Sequence, residues 1–251
     1  MAGHSHWANI QHKKGIADKK RGKLWSKLSR AIIIAAKNGG GDPVMNLKLR
    51  YAIDKARQVS MPKDNIERAI KRGIGDVEGV SYDEIAYEGF GPGGIAIYCD
   101  ILTDNRARTN GEVRKIFERG GGNMGTVGSV AYLFERKGVL TVDTHLIDED
   151  SLLAVILEAG AEDLRRSGEL FEILCEPSKF SEVRNALEAA RIVVSSAEIT
   201  NLAKTTVDAP DIETALKVLK LVEALEENDD VQNVFHNMNL TDEVIAAAEK
   251  A

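Results

Sequence analysis

Apolar positions between residues 23 and 37 recur with the spacing of an α-helix. At about 100° per residue they share one face, while Lys and Arg side chains lie on another. The run Asn38-Gly39-Gly40-Gly41 is a helix stop signal. The preceding 22 residues carry few apolar positions, which predicts an extended basic arm. The apolar positions of the predicted face are Leu24, Leu28, Ala31, Ile32 and Ala35.

Two further helices are predicted after the glycine run. Asp42-Pro43 matches an N-cap followed by proline at the first helical position, and this helix is predicted to reach about Gln58. Pro62 opens the next helix, which Gly73 ends. The first 78 residues are therefore predicted to form a basic arm and a small helical bundle.

The chain beyond residue 79 alternates strand and helix patterns. Residues 80–90 and 95–102 form predicted strands around a Gly-Pro-Gly-Gly turn. A helix over 105–119 and a strand over 129–135 are predicted next. Strands are also predicted near residues 203–207 and 231–235, around a helix over 210–227.

Between these parts, the predicted order is strand, helix, two strands, helix, strand, as in the ferredoxin-like motif. We therefore predict an α+β multidomain protein with a helical bundle, a central α+β domain, and a ferredoxin-like domain inserted in that central domain. The predicted boundaries are 1–78 for the arm and bundle, 79–135 with 205–251 for the central domain, and 136–204 for the insertion.

The net charge of −6 conceals a strong asymmetry. Residues 1–72 hold 17 Lys and Arg against five Asp and Glu, a formal charge of +12, and the remainder carries −18. This pattern predicts binding of a polyanion such as nucleic acid through the N-terminal third. A solvated basic helical domain without such a partner is the alternative, and no partner is indicated for the acidic segment.

The candidate phosphate contacts follow from this asymmetry. Arg106 and Arg108 open a helix, where the dipole does not favour cations, so they are either a second contact or ion pairs with acidic residues. The predicted contacts in the N-terminal third are Lys13, Lys14, Lys19, Lys20, Arg21, Lys23 and Lys27, with Arg30 at the edge.

Both tryptophans lie among lysines. Trp25 has helical spacing relative to apolar residues, which favours a place in the core. Trp7 lies in the predicted arm without periodic apolar neighbours, so it is the candidate for stacking on an exposed base.

The motifs of common enzyme sites do not occur in this sequence. Residues 120–125 match G-x-G-x-x-G, but they follow a predicted helix and precede a strand, the reverse of a dinucleotide site. No Walker A or G-x-S-x-G sequence is present. We therefore predict a protein that is not an enzyme and uses no cofactor. Removal of Met1 would create an Ala2-Gly3-His4 terminus suited to Cu(II) or Ni(II), an adventitious site.

The cysteine content and hydropathy bear on location. Cys99 and Cys175 are the two cysteines and form no motif, which favours a reducing compartment. No apolar run approaches the roughly 18 residues of a membrane span. A cytoplasmic protein without membrane contact is predicted.

Several motifs resemble those of the YebC/PmpR family. The opening residues 2–10, His12-Lys13-Lys14 and the run 20–23 resemble the family's N-terminus. The resemblance extends over essentially the whole chain through Glu88-Gly89, residues 91–94, Thr103-Asp104-Asn105-Arg106, Arg108-Thr109, Gly121-Gly122-Asn123, Gly125 and Gly128-Ser129-Val130.

This resemblance implies a three-domain cytoplasmic bacterial protein that acts as a DNA-binding transcriptional regulator. It also implies an alternative, because mitochondrial relatives act as translational activators and some bacterial relatives as ribosome-associated factors for proline-rich stretches. The charge pattern alone does not distinguish DNA from RNA. The lack of a clear helix-turn-helix weakens the first interpretation, and the basic arm with its tryptophan favours the second.

Overall fold

The computed structural model describes residues 18–75 and 81–250, apart from the side chains of residues 18–21 and 249. Helix α1, Asp18–Gly39, begins one turn earlier than the predicted helix and contains Gly22. The prediction of an extended arm is therefore wrong for residues 18–22, and its earlier part lies outside the described residues. One face of α1 buries Leu28 and Ile32, as the apolar periodicity predicted.

Helix α2, Leu47–Gln58, begins later than predicted because Asn46, rather than Asp42, is its N-cap. Asn46 Oδ1 accepts a hydrogen bond from the Leu49 amide at 3.0 Å, and its Nδ2 donates to the carbonyl oxygens of Ala35 and Gly40. Asp42 closes a local turn instead, by accepting from the Val44 amide at 2.8 Å.

Helix α3, Lys63–Gly73, completes the bundle and starts after Pro62, as predicted. Its Ile66 and Ala69 pack with α1 and α2 in one apolar cluster. Trp25 packs against this cluster, and its Nε1 donates to the Val59 carbonyl at 3.2 Å, which confirms its predicted place at the core.

The first sheet has the strand order β3-β1-β2-β8, with β1 antiparallel to β2 and β3. Its core includes Ile97 and Ile101 of the sheet, together with Phe117 and Leu221 from two helices. The elements of this part are β1 Asp83–Phe90, β2 Ala96–Thr103, α4 Arg106–Arg119, β3 Asn123–Met124, α7 Ile212–Glu226 and β8 Val231–His236.

The second sheet has the strand order β5-β6-β4-β7, and its pairings are antiparallel. Two helices bury Leu152, Ile156 and Phe180. The elements are β4 Phe134–Asp143, α5 Glu149–Glu158, β5 Ala161–Ser167, β6 Leu170–Cys175, α6 Phe180–Ala189 and β7 Val194–Ala203; α8, Asp242–Lys250, follows β8.

Two strand predictions were wrong. A strand was predicted to end at residue 135 and a separate one to follow within the insertion that starts at 136, but β4 is one strand from Phe134 to Asp143. The predicted strand near 203–207 is absent from the first sheet: Ala203 ends β7, and Val207 forms an isolated bridge with Met238. The strand predicted near 231–235 is β8, which lies next to β2 in the first sheet.

The described residues divide into two compact units within an α+β fold. One unit contains residues up to 129 together with 217–234, and the other contains 130–216 and the residues from 235 onward. The bundle and most of the first sheet lie in the former unit. All side chains of the candidate site whose contacts are described belong to this unit.

Candidate nucleic-acid interface

Only part of the predicted contact set has described side chains. Trp7, Lys13, Lys14 and the candidate metal ligand His4 lie outside the described residues. The backbone of residues 19–21 forms the first turn of α1, but the side chains of Lys19, Lys20 and Arg21 are not described. The predicted contacts with described side chains are Lys23, Lys27, Arg30, Arg106 and Arg108.

Three described cations of α1, namely Lys23, Lys27 and Arg30, face the end of α7 and the segment that follows it. Lys23 Nζ donates to the Glu227 carbonyl at 2.9 Å and lies 3.6 Å from the Asp229 carboxylate. Lys27 Nζ donates to the Glu226 carbonyl at 2.5 Å. A helix C-terminus leaves carbonyl groups without helical partners and carries partial negative charge, which explains why cations bind there.

Burial changes the titration of Lys27. Loss of hydration lowers its pKa from 10.5 to about 8, although the nearby carboxylates of Glu226 and Asp229 partly oppose this shift. The ammonium group is thus held against protein carbonyls and is half-buried. This geometry leaves Lys27 poorly placed to bind phosphate.

Arg30 extends the same contact to a buried carboxylate. Its guanidinium donates to the Asp229 carbonyl and lies 3.0 Å from Asp230 Oδ1. The plane of Tyr82 lies under this guanidinium, with 5.5 Å between Arg30 Cζ and the ring centroid. With its side chain only 19% exposed, Arg30 holds α1 to residues 229 and 230.

Asp230, which directly precedes β8, contacts α1, β2 and α4 through its carboxylate. Its side chain is 4% exposed, and Oδ2 accepts hydrogen bonds from Thr109 at 2.6 Å, Arg108 at 2.7 Å and Thr103 at 3.1 Å. Burial alone would raise its pKa, but these hydrogen bonds and the charge of Arg108 outweigh burial and lower the pKa below the ordinary value. Asp230 therefore stays ionised and orders the start of α4.

The two arginines at the start of α4 both form ion pairs. Arg106 Nε lies 2.8 Å from Asp83, and Arg108 Nη2 lies 2.7 Å from both Asp104 and Asp230. The hydrogen bonds to Asp230 and Asp104 raise the pKa of Arg108. Of the two interpretations left open by the sequence, the described side chains adopt ion pairing with acidic residues.

Other exposed cations were not among the predicted phosphate contacts. Arg68, Lys71 and Arg72 lie on the exposed side of α3, opposite the buried Ile66 and Ala69. Arg119, Lys217 and Lys220 line a groove in the same unit. Lys217 and Lys220 are three residues apart, a spacing that places both on one helix face. The negative net charge of residues 73–251 concealed this signal in the sequence.

The described residues offer little for metal or thiol chemistry. Within 18–75 and 81–250, His, Cys, Asp and Glu side chains form no group of three placed to hold a metal ion. Cys99 and Cys175 are buried free thiols. Burial raises the pKa of both, that of Cys175 to about 11. The glycines at 120–122 follow α4 and precede β3, the reverse of a dinucleotide site.

None of the helices in the described part of the chain combines the length and the apolar character required to cross a bilayer.

Comparison with known proteins places these features in a family. A family model described as "TACO1/YebC protein N-terminal domain" matches residues 5–76, and one described as "TACO1/YebC second and third domain" matches residues 82–238. Together the two models cover most of the chain.

Relatives match over nearly their full lengths. A "Probable transcriptional regulatory protein" of Dictyoglomus thermophilum is 51% identical over 248 residues, and one of Halothermothrix orenii is 52% identical over 247, each covering 98% of both chains. The crystal structure of a conserved hypothetical protein from Aquifex aeolicus superposes with a TM-score of 0.84 at 47% identity, covering 94% of this chain and 98% of that one.

Proposed function

Since the chain belongs to the TACO1/YebC family, we propose that it is a non-enzymatic regulatory protein that binds nucleic acid, and that it acts as a DNA-binding transcriptional regulator. The observation that carries this proposal is the separation of charge, +12 in residues 1–72 against −18 in the remainder. A basic segment attracts the phosphate backbone and an acidic segment is repelled by it, so the charge separation orients the protein on its target.

The contacts of α1 narrow the set of proposed phosphate contacts. Lys27 and Arg30 already bind carbonyl and carboxylate groups of residues 226–230, and Arg106 and Arg108 are ion-paired. Lys23 is 47% exposed and lies at the edge of this contact. The proposed phosphate contacts are therefore Lys13, Lys14, Lys19, Lys20, Arg21 and Lys23.

The salt dependence of binding tests the proposal. Each phosphate contact adds about 0.7 to 0.9 to the slope of log affinity against log salt concentration. The triple variant K19A/K20A/R21A should therefore bind duplex DNA more weakly, with a slope lower by roughly two to three. It should keep the same sequence preference, because phosphate contacts position a protein without specifying bases.

A charge-matched control separates local contact from net charge. The variant R136A/K204A/K250A also removes three positive charges, all from exposed positions of the acidic segment. We expect it to bind DNA with nearly the wild-type affinity and slope. If K19A/K20A/R21A matched the wild type in both quantities, the N-terminal third would not be the contact surface.

A ribosome- or RNA-associated translation factor is the second candidate function. The observation that favours it is Trp7, an aromatic residue placed among cations in the sequence, because single-stranded RNA is recognised by stacking of bases on such side chains. The variant W7A should weaken binding to single-stranded RNA more than binding to duplex DNA. Equal effects on both would leave the DNA-binding function favoured.

We further propose that residues 136–204 are a ferredoxin-like domain inserted into a central α+β domain formed by 79–135 and 205–251. Support comes from the strand order β5-β6-β4-β7 with a helix after β4 and another after β6, and from β8, which joins β2 after the chain has left the second sheet. Excision of the segment with a short Gly-Ser linker should leave the first sheet folded.

The cytoplasm is the proposed location. Both cysteines are buried free thiols, the state expected in a reducing compartment.

A further inference from the structure

A groove crosses the surface of the unit that contains the first sheet. Its volume is about 670 Å³, within the range of small-ligand sites. The walls are the C-terminal end of α4, the middle of α7 and the turn at Pro92 that joins β1 to β2. All of its lining residues belong to this one unit.

Glycines allow the walls of the groove to approach one another. A Cβ atom at Gly120 would lie 2.7 Å from Leu221 Cδ1, and one at Gly122 would lie 2.4 Å from the Phe90 carbonyl oxygen. The glycine run after α4 therefore packs directly against α7 and the end of β1. The shape of the groove is preset by backbone packing rather than by flexible side chains.

The lining combines an apolar floor with a cationic rim. Ile116 and Ala224 supply accessible apolar surface, and Arg119, Lys217 and Lys220 supply three positive charges, with no Asp or Glu among the described lining residues. All three cations are exposed. Arg119 lies at the C-terminus of α4, where the dipole favours a cation, but Lys217 and Lys220 lie within α7, where it does not.

These cations stand out against the charge of their surroundings. Residues 73–251 carry a formal charge of −18, yet the charged residues among the described lining of this groove are all positive. Lys217 and Lys220 share one face of α7 because they are three residues apart. A ligand that contacts both the apolar floor and the cationic rim needs a flat apolar group with negative charges close to it.

We propose that this groove binds single-stranded nucleic acid, with one unstacked base against Ile116 and Ala224 and the adjacent phosphates on Arg119, Lys217 and Lys220. This inference rests on the proposed nucleic-acid-binding function and names a second contact site for it. A nucleotide has the required combination of base and phosphate. In a duplex the bases are stacked on one another, so no base reaches the apolar floor and a duplex is not held in the groove.

Fluorescence anisotropy with a labelled twelve-nucleotide oligouridine and a labelled DNA duplex tests the site. The variant K217A/K220A should bind the oligouridine about tenfold more weakly, from the loss of two exposed ion pairs. Its salt slope for this strand should fall by about 1.4, at roughly 0.7 per phosphate contact on single strands. Its affinity for the duplex should change less than twofold, whereas K19A/K20A/R21A should weaken duplex binding.

A second variant tests the apolar floor without changing charge. Ala224 is an exposed lining residue, and A224Q should fill part of the groove with an uncharged polar group, lowering affinity for oligouridine while leaving the salt slope unchanged. K204A/K250A removes two exposed lysines elsewhere and serves as the charge-matched control. Circular dichroism confirms that each variant is folded before binding is compared.

The outcomes separate the groove from the wider function. If the wild type binds oligouridine and neither K217A/K220A nor A224Q reduces this binding, the groove proposal is overturned and the proposed function is left intact. Failure of the wild type to bind either nucleic acid would overturn both. Labelled polyglutamate that bound the wild type as tightly as oligouridine, and lost affinity equally in K217A/K220A, would show a site for acidic peptides instead.

Discussion

Replacing Asp230 with asparagine removes one negative charge from the carboxylate that receives both Arg30 and Arg108. Oδ2 accepts three hydrogen bonds and Oδ1 lies 3.0 Å from the Arg30 guanidinium. An asparagine has a single side-chain oxygen. If this oxygen takes the position of Oδ2, the amide group faces Arg30, donor against donor.

The magnitude follows from burial on both sides of the contact. Removing one partner of a buried ion pair costs about 3–5 kcal/mol, because the remaining charge stays desolvated. Arg30 is 19% exposed, but Arg108 is 44% exposed and regains water. We therefore expect D230N to lower the free energy of unfolding by about 2–3 kcal/mol, at or below the lower end of that range.

Urea unfolding followed by circular dichroism measures this loss, with D229N as the control. Asp229 is 60% exposed and lies 3.6 Å from Lys23, so D229N should cost less than about 1 kcal/mol. Folding lowers the pKa of Asp230, so the ionised carboxylate stabilises the folded state at pH values above its unfolded pKa of about 3.9. This stabilisation is lost as the pH falls below that value. Equal losses for D230N and D229N, or a D230N effect that persisted unchanged in acid, would refute the assignment.

Three further predictions concern single residues. Lys27 has a pKa of about 8 in the folded protein, so between pH 8 and about 10.4 the unfolded state binds more protons than the folded state. In urea titrations the wild type should therefore gain stability relative to K27M as the pH rises through this interval. G122A places a Cβ 2.4 Å from the Phe90 carbonyl and should lower stability by about 1–3 kcal/mol in thermal unfolding, the range for overpacking. Cys99, fully buried with a raised pKa, should react with a thiol reagent only after denaturant is added, and fast labelling of the native protein would contradict its burial.

Local sequence signals located most elements of the fold but not all of their ends. Asp42 and Asn46 are both good N-cap residues, and sequence alone favoured Asp42 because a proline follows it. The structure selects Asn46, whose side chain also donates to carbonyls of residues 35 and 40. That additional stabilisation comes from contacts with α1 and its end, which no local pattern contains.

The course of β4 depends on its neighbours in a similar way. Three successive charged residues, Glu135, Arg136 and Lys137, interrupt the apolar pattern and led to the prediction of two strands. Pairing with β7 carries the strand through this interruption, and Lys137 lies 2.7 Å from Glu162. Tertiary pairing therefore overrides a local break in the pattern.

The candidate site shows the same limit more strongly. The sequence predicted a free basic face on α1, made of Lys23, Lys27 and Arg30, because the partners of these residues lie about 200 residues later in the chain. The sequence identified the class of residue and the segment, but it could not reveal that carbonyls at the end of α7 bind these cations. Exposed cations elsewhere, at the rim of the groove, were masked by the negative average of their segment.

The charge counted along the chain therefore exceeds the charge available to a polyanion. If all eight cations predicted as contacts in the N-terminal third met phosphates, the salt slope on duplex DNA would approach about 7, at roughly 0.9 per contact. With Lys27 and Arg30 bound to residues 226–230, the proposed set of six contacts gives a slope of about 5. A measured slope near the smaller value would agree with α1 docked on residues 226–230 while nucleic acid is bound. A slope near the larger value would require these contacts to break, and Arg30 could bind phosphate only by leaving Asp230.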